Sequence, residues 1–510
     1  MNTKSYNYST ALKDGETDYV LTPLRMTAGI TAVFTDFYSL TMAQGYWKHN
    51  MHGRSVFDVF FRRQPSGGGF SVFAGLETLL TALHNFSFSK EDIDYLSSLH
   101  FFEDKFLDYL KDFRFTGSLW AMDEGTIIFP QEPIIRVDSN LIEAQIIEGL
   151  ILNIINFQSL IATKTARIVL ASNNGSVMEF GLRRAQGPDG ALSASRAAFI
   201  GGAYGTSNVL AGKVFNIPVL GTMAHSWVLS FPDEEESFRS YAALYPDKTV
   251  FLIDTYDTLK SGIHNAIKAG KELAGSGKNF GVRLDSGDMH YLSVEVRRIL
   301  DEAGFPNATI TVSNDLDEYI VDTLTKAGAP ISTWGVGTRM VTGGDDAAFT
   351  GVYKLAAKEE NGKIIPTMKL SDNPEKTTNP GIKQVWRIKD DNGLAVADIM
   401  AMDDPENPDI LEKGKHYAFW HHQVDYRYFD HIISNDAEAL LQKRLEKGNL
   451  ISPLPALPEI QQKVRDGLKD FDQSYKRILN PHIYKISLTE RLRTLKLDLI
   501  KAYHNTIKKF

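Results

Sequence analysis

The chain has 510 residues, 43% of them hydrophobic and 23% charged, a globular composition that excludes wholesale disorder, collagen and coiled coil and suits two or three structural units. Its formal net charge of −8 lacks the basic footprint of a nucleic-acid binder, so any bound anion must be gripped locally by particular arginines, lysines and backbone amides. There is no cysteine, which excludes disulfides, a thiolate nucleophile and cysteine-ligated zinc, and suits a reducing cytoplasm.

Residues 1–30 are polar, carry no apolar signal-peptide core and read as an N-terminal arm. The next region, 31–155, is α+β: helical runs over 36–47 and 75–82, an alternating strand over 55–61, and short strands with turns between them over 115–137. The longest uncharged, mostly apolar stretch, 149–163, is interrupted by Asn153, Asn156 and Gln158. It is shorter than the roughly 20 residues of a membrane helix. A soluble, cytoplasmic protein without membrane or nucleic-acid partners is expected.

The middle, 156–395, is the most regular. Apolar strand candidates lie at 217–222, 249–254, 280–285, 309–314 and 333–338, with helical patterns at 257–273, 288–303 and 316–327 between them. The residues just past the strand ends are His225, Asp254, Asp285, Asn314 and Gly337, at successive spacings of 29, 31, 29 and 23. A strand, a helix and two loops occupy that length, so repeated β/α units are predicted, in a doubly wound sheet or a barrel. Both architectures line the ligand site with polar residues at the C-terminal ends of strands. The spacing therefore gathers His225, Asp254, Arg283, Asp285, Asn314 and Thr338 around one mouth. From 396 to 510 the chain reads as loop-rich and charged, with Pro453, Pro455 and Pro458 and a final amphipathic helix over 488–507. This region is expected to pack on the others and to carry little chemistry.

Several segments carry candidate chemistry. EFGLRRAQGPDG (179–190) ends a strand with Arg183 and Arg184, and an arginine fork matches carboxylate or phosphate bidentately. GGAYGTSNVLAG (201–212) is glycine-rich before a helix start. In GTMAHSWV, His225 gains Asp254 at the next strand end; a carboxylate on one ring nitrogen fixes the tautomer and frees the other as base or nucleophile. FLIDTYDT (251–258) approximates the acidic pair that grips the ribose of phosphoribosyl pyrophosphate, and GVRLDSGD (281–288) sets Arg283, Asp285 and Asp288 at a strand end. There carboxylates suit ribose hydroxyls or magnesium, while Asp288 also fits a helix cap. WGVGTRMVTGG (334–344) places Gly337 and Thr338 where barrels hold a phosphate. GGG at 67–69, after Arg62, Arg63 and Pro65, looks like a phosphate cradle, but its place between strand-like runs favours a flexible hairpin, and His421 and His422, without a metal-spaced partner, read as structural.

TDFYSLTMAQGYW (35–47), FRRQPSGGGF, EFGLRRAQGPDG, GTMAHS, LIDTYDT, GVRLDSGD, GVGT and VYKL, in that order over about 31–390, resemble the nicotinate phosphoribosyltransferases. The resemblance implies a type II phosphoribosyltransferase fold, an irregular α/β barrel with a packed α+β domain, in a head-to-tail homodimer with shared sites. It implies a ligase-class reaction of NAD salvage. Nicotinate and 5-phosphoribosyl 1-pyrophosphate (PRPP) become nicotinate mononucleotide and pyrophosphate, coupled to ATP through a phosphohistidine, with Mg2+ present. No protein metal site is implied.

Carried over by motif, His225 is the phosphorylated residue and Asp254 its orienting partner. Tyr38 from the neighbouring subunit, Phe180, Arg183, Ser207, Thr222 and Arg283 form the nicotinate pocket. Asp285, Gly337 and Thr338 serve PRPP, with Arg62, Lys376 and Lys383 supplying charge to phosphates. Nicotinamide-using relatives have an aspartate at the place of Ser207. A neutral serine spares an anionic base the like-charge apposition that disfavours it by several kcal/mol in a desolvated pocket, as an order of magnitude.

Overall fold

The computed structural model describes residues 11–13, 16–18, 29–373 and 376–507. The expected arm over 1–30 lies mostly outside them; its described part includes the antiparallel strand pair Ala11–Lys13 and Glu16–Asp18. The chain divides into two compact units, one made of 1–160 and 348–510, the other of 161–347. The barrel region is therefore shorter than the 156–395 read from sequence. Residues 348–395 belong to the first unit because Gly351–Glu360 pairs antiparallel with Arg54–Phe61, a pairing across some 300 residues that local patterns do not announce.

The 161–347 unit holds one parallel sheet. Its strands are β1 (Ser176–Glu179), β2 (Gly205–Thr206), β3 (Val250–Leu252), β4 (Gly281–Leu284), β5 (Thr309–Asn314) and β6 (Thr333–Val336), in the spatial order β3-β4-β5-β6-β1-β2. The expected strand at 217–222 is reduced to a single parallel bridge between Thr206 and Val219, flanked by Thr206 N–H to Pro218 O and Leu220 N–H to Thr206 O. Pro218 has no N–H to extend a ladder. Read around the sheet, the strands follow chain order cyclically, a single winding in one direction. A doubly wound sheet reverses direction at a switch point; a barrel does not. The sheet is thus an irregular barrel with one seam, between the 218–220 segment and β3, where no backbone ladder is formed among the described residues.

Local chemistry explains these elements. The strands are apolar runs with Phe251, Leu252, Val282, Leu284, Ile310, Val312, Trp334 and Val336 buried, as parallel strands require. Asp288 caps Met289–Glu302 and Asp317 caps Glu318–Lys326, each accepting first-turn amides. The helix expected over 257–273 opens as a wide turn, Thr258–Gly262, before Ile263–Gly275. Gly262 is required there, since a Cβ would lie 1.9 Å from the Ile253 carbonyl oxygen.

The other unit carries two larger sheets. One has seven strands in the order Lys363–Pro366, Gly351–Glu360, Arg54–Phe61, Ile135–Asn140, Ser118–Ala121, Gln442–Glu446, Asn449–Leu450. The second has six, in the order Tyr428–Ile432, His416–His421, Lys485–Leu488, Ala395–Met402, Lys383–Lys389, Glu438–Ala439. The region from 396 onward is therefore not mainly loop. Its strands read as charged loop because outer ones such as Tyr428–Ile432 alternate exposed and half-buried positions. The 67–69 glycines form no hairpin: Arg54–Phe61 and Ser71–Val72 pair with different partners. A Cβ on Gly69 would lie 2.2 Å from the Tyr475 carbonyl oxygen, so close backbone approach demands that glycine. The 149–163 stretch lies in the helix Glu148–Ala171, and among the described residues no helix is long and apolar enough to cross a membrane.

Candidate active site

Polar side chains at the C-terminal ends of the barrel strands bind one another across the seam. His225 opens the short helix His225–Leu229, which is held by the Trp227 indole donating to the Ser237 carbonyl at 3.1 Å. The His225 Nε2 faces Asp254 Oδ1 at 3.3 Å. The Asp254 side chain is 2% exposed, and its second oxygen accepts from the Asp285 amide at 3.0 Å and the Ser286 hydroxyl at 2.6 Å. The carboxylate therefore needs the proton on Nε2 and leaves Nδ1 as the ring's lone-pair nitrogen.

Arg283, at the third position of β4, is a hub. Its Nε donates to Ser313 Oγ (2.8 Å), Nη1 to Thr222 Oγ1 (2.8 Å) and the Met223 carbonyl (3.4 Å), and Nη2 to Asp285 Oδ1 (2.9 Å). Its Cζ lies 5.9 Å from the Phe180 ring centroid. Burial alone would raise the Asp285 carboxyl; the Ser313 hydroxyl and the Arg283 guanidinium outweigh it and hold that carboxyl below its ordinary range, with His225 acting in the same direction. Ser313 was not singled out from sequence, because it sits inside an apolar strand.

The end of β1 and the loop after β6 form the facing wall. The Phe180 amide donates to Val336 O at 2.8 Å. A Cβ on Gly335 would come within 2.7 Å of the Phe180 ring, and one on Gly337 within 3.3 Å of the Phe180 carbonyl oxygen, so these glycines admit Phe180 to the wall. Thr338 begins the short helix Thr338–Val341. Arg183 is exposed on the turn after Phe180 and has no partner among the described residues. Ser207 is half-buried, its amide bound to the Glu179 carbonyl at 2.9 Å. Of the other acids, Asp257 caps the Thr258 turn and Asp288 caps its helix, so the ribose-gripping pair read in FLIDTYDT is otherwise engaged.

The remaining candidates lie in the first unit. Tyr38 is exposed on Phe37–Lys48, its phenol pushed up to about 12 by partial burial and by the hydrogen-bonded Glu148 carboxylate. Arg62 has a buried Nε without a hydrogen-bond partner among the described residues. Lys354, in VYKL, was missed: burial lowers its amine, opposed by Glu148 and assisted by Arg62 and Lys369. Tyr38 and Arg62 thus gather about Glu148 and Lys354, a cationic cluster from three motifs. Lys376 is exposed. Lys383 is not available to a phosphate: it is 1% exposed, paired with Asp58 at 2.8 Å and donating to the Asn379 and Gly381 carbonyls. Among the described residues no group of three or more His, Asp or Glu is arranged to hold a metal.

Family models match nearly the whole chain: the nicotinate phosphoribosyltransferase (NAPRTase) N-terminal domain over 33–156, the NAPRTase family over 176–398 and its C-terminal domain over 382–496. The chain belongs to the nicotinate phosphoribosyltransferase family. The nicotinate phosphoribosyltransferase of Bacillus subtilis (strain 168) is 43% identical over 481 residues, covering 94% of this chain and 96% of the relative. The Homo sapiens enzyme of that name is 31% identical over 527 residues, 92% and 96% covered. A crystal structure of human nicotinic acid phosphoribosyltransferase superposes with a TM-score of 0.80 at 29% identity, over 91% of this chain and 99% of that one. The nicotinate phosphoribosyltransferase family thus accounts for the barrel unit and the sheets of the first unit together.

Proposed function

We propose that this protein is an ATP-coupled nicotinate phosphoribosyltransferase of NAD biosynthesis, converting nicotinate and PRPP to nicotinate mononucleotide and pyrophosphate. The observation that carries the reading is the double use of Asp254, which holds His225 with one oxygen and the start of the Asp285–Ser286 turn with the other.

In the coupling step, His225 Nδ1 attacks the γ-phosphorus of ATP and ADP leaves with the bridging oxygen. The phosphorylated ring keeps its Nε2 proton and is therefore cationic, and the buried Asp254 carboxylate steadies that charge. In the transfer step, pyrophosphate departs from C1 of the sugar as the nicotinate nitrogen bonds there. The leaving group must be stabilised and the weak nucleophile aligned. Arg283, already fixed by four neighbours, and Thr222 face the nicotinate carboxylate; Phe180 supplies an aromatic face. Asp285 lies toward the ribose, and Gly337 and Thr338 toward the 5-phosphate. From a second copy of the chain, Tyr38, Arg62 and Lys354 supply a lid and cations in a shared dimer site.

Mg2+ near phosphates keeps several waters and takes most ligands from substrate. Asp285 Oδ2, free of hydrogen bonds among the described residues while Oδ1 is occupied, would hold such an ion, which would neutralise pyrophosphate charge.

Assay of nicotinate mononucleotide with and without ATP tests the reading. ATP-stimulated product and acid-labile, base-stable phosphate on His225, both abolished in H225N, are expected. Full turnover with no label on His225 removes the phosphohistidine step, and preference for nicotinamide overturns the reading of Ser207.

A further inference from the structure

Glu179 closes β1 with its side chain 1% exposed and no cation paired to it among the described residues. A carboxylate in that position is costly to desolvate unless donors converge on it. Three do. The Gly181 amide and the Thr206 hydroxyl make short bonds to Oε1 and Oε2, and the Ser195 hydroxyl donates to Oε2 at 2.9 Å. The main chain of the same residue accepts the Ser207 amide at 2.9 Å. The network extends outward: the Asn208 amide donates to Thr206 Oγ1 at 2.9 Å, and the Asn208 side chain to Ser195 Oγ at 3.2 Å. One residue thus grips two loops that are separate in sequence, the Phe180–Arg183 turn through Gly181 and the Thr206–Asn208 corner through Thr206 and Ser207. A Cβ on Gly181 would strike Val341 at 2.2 Å, so the turn cannot relax toward the loop after β6.

We propose that Glu179 is a positioning residue for the base pocket: it sets the distance between the Phe180–Arg183 turn and the Ser207 corner, and so controls nicotinate binding without touching the substrate. The proposal rests on the functional reading above for its substrate, but not for its structural content. A carboxylate suits the task because it accepts from both loops at once, two donors on one oxygen and one on the other. A glutamine keeps one carbonyl for the Gly181 amide and presents an NH2 to hydroxyls that can rotate to accept.

The test compares Glu179→Ala and Glu179→Gln with the unmodified full-length protein. Expected for Glu179→Ala is a rise in KM for nicotinate of about tenfold or more, with KM for PRPP within about twofold and ATP-dependent labelling of His225 retained; Glu179→Gln recovers most of the loss. An unchanged nicotinate KM in folded Glu179→Ala, or an equal rise in both KM values, overturns the proposal. Should Glu179→Ala fail to fold, Ser195→Ala/Thr206→Val, which removes both hydroxyl donors to Oε2, is held to the same KM criteria. Amide hydrogen exchange supplies a readout independent of turnover: 180–186 and 204–209 should both exchange faster in Glu179→Ala, with Glu179→Gln closer to the unmodified protein, and acceleration of one loop alone, or of neither, in Glu179→Ala overturns the proposal. Absence of nicotinate mononucleotide from the unmodified protein would refute the functional reading, while the exchange result would still decide the role of Glu179.

Discussion

His225 and Asp254 face each other at 3.3 Å across the one seam of the barrel that lacks a backbone ladder. Their contact, with that of Arg283 to Thr222 and the Met223 carbonyl, joins the segment after Val219 to β3 and β4 through side chains. The open seam and His225, the phosphate acceptor proposed above, are thereby the same place.

On the mechanism proposed above, removing the Asp254 carboxylate leaves the His225 tautomer unfixed and the phosphorylated ring without its counter-charge. Asp254→Asn should lower the rate of His225 phosphorylation about 10²–10⁴-fold, with PRPP binding little changed. Rapid-quench labelling with ATP checks it; a loss below tenfold contradicts the assigned partnership.

Arg283 uses three separate nitrogens on Ser313, Thr222 and Asp285. Lysine provides one ammonium and cannot span them. Arg283→Lys should raise KM for nicotinate by about 10–100-fold, equivalent to about 1.4–2.8 kcal/mol, and should let the Asp285 carboxyl rise. Steady-state kinetics with a Ser313→Ala control, expected to show a smaller shift in the same direction, measure this.

His422 stacks on His421 with ring centroids 4.6 Å apart and bonds the Ile486 carbonyl through Nδ1 at 3.0 Å. Burial pulls it from 6.5 to about 3, assisted by the charges of His421 and Lys496. Its folded value lies below its unfolded one, so the unfolded chain binds the proton first as pH falls. The contribution to stability is complete above about 6.5 and lost progressively from there toward 3, by at most about 1.4 kcal/mol per pH unit. Thermal melts between pH 7 and 4 should show that slope in the native protein and a shallower one in His422→Gln.

Glu132 and Asp398 are both fully buried beside Arg387 and Tyr484. Burial and the facing Asp398 carboxylate, only partly offset by Arg387, push the Glu132 carboxyl well above its ordinary value, which favours its protonated form. With the folded value raised, its stabilisation is complete below 4.5 and is lost as pH rises through the folded value. Glu132→Gln, which mimics the protonated acid, should melt as high as the native protein and lose less stability on the alkaline side. Arg387→Met, which strands Asp398, should destabilise by about 3–5 kcal/mol. Calorimetry across pH decides both.

What the amino-acid order determined by itself was local and periodic: the β/α repeat, the cap at Asp288, and the strand-end stations of Asp254, Arg283, Asp285 and Gly337. These were legible because a buried parallel strand is a continuous apolar run and a cap is satisfied within three residues. The motif series also named the family before any coordinates. Tertiary structure alone decided which acids remain for chemistry. Asp257 and Asp288 look like ligands in the linear text but go to amides two and three residues on, whereas Asp254 is freed by partners 29 and 31 positions away. It also withdrew Lys383 into an ion pair with Asp58, joined Lys354 to Arg62, and gave Glu179 its two loops. Each of these depends on a contact between remote segments. A charged side chain's role is set by whichever opposite charge or donor the fold brings within about 3 Å, and spacing along the chain carries no record of that distance.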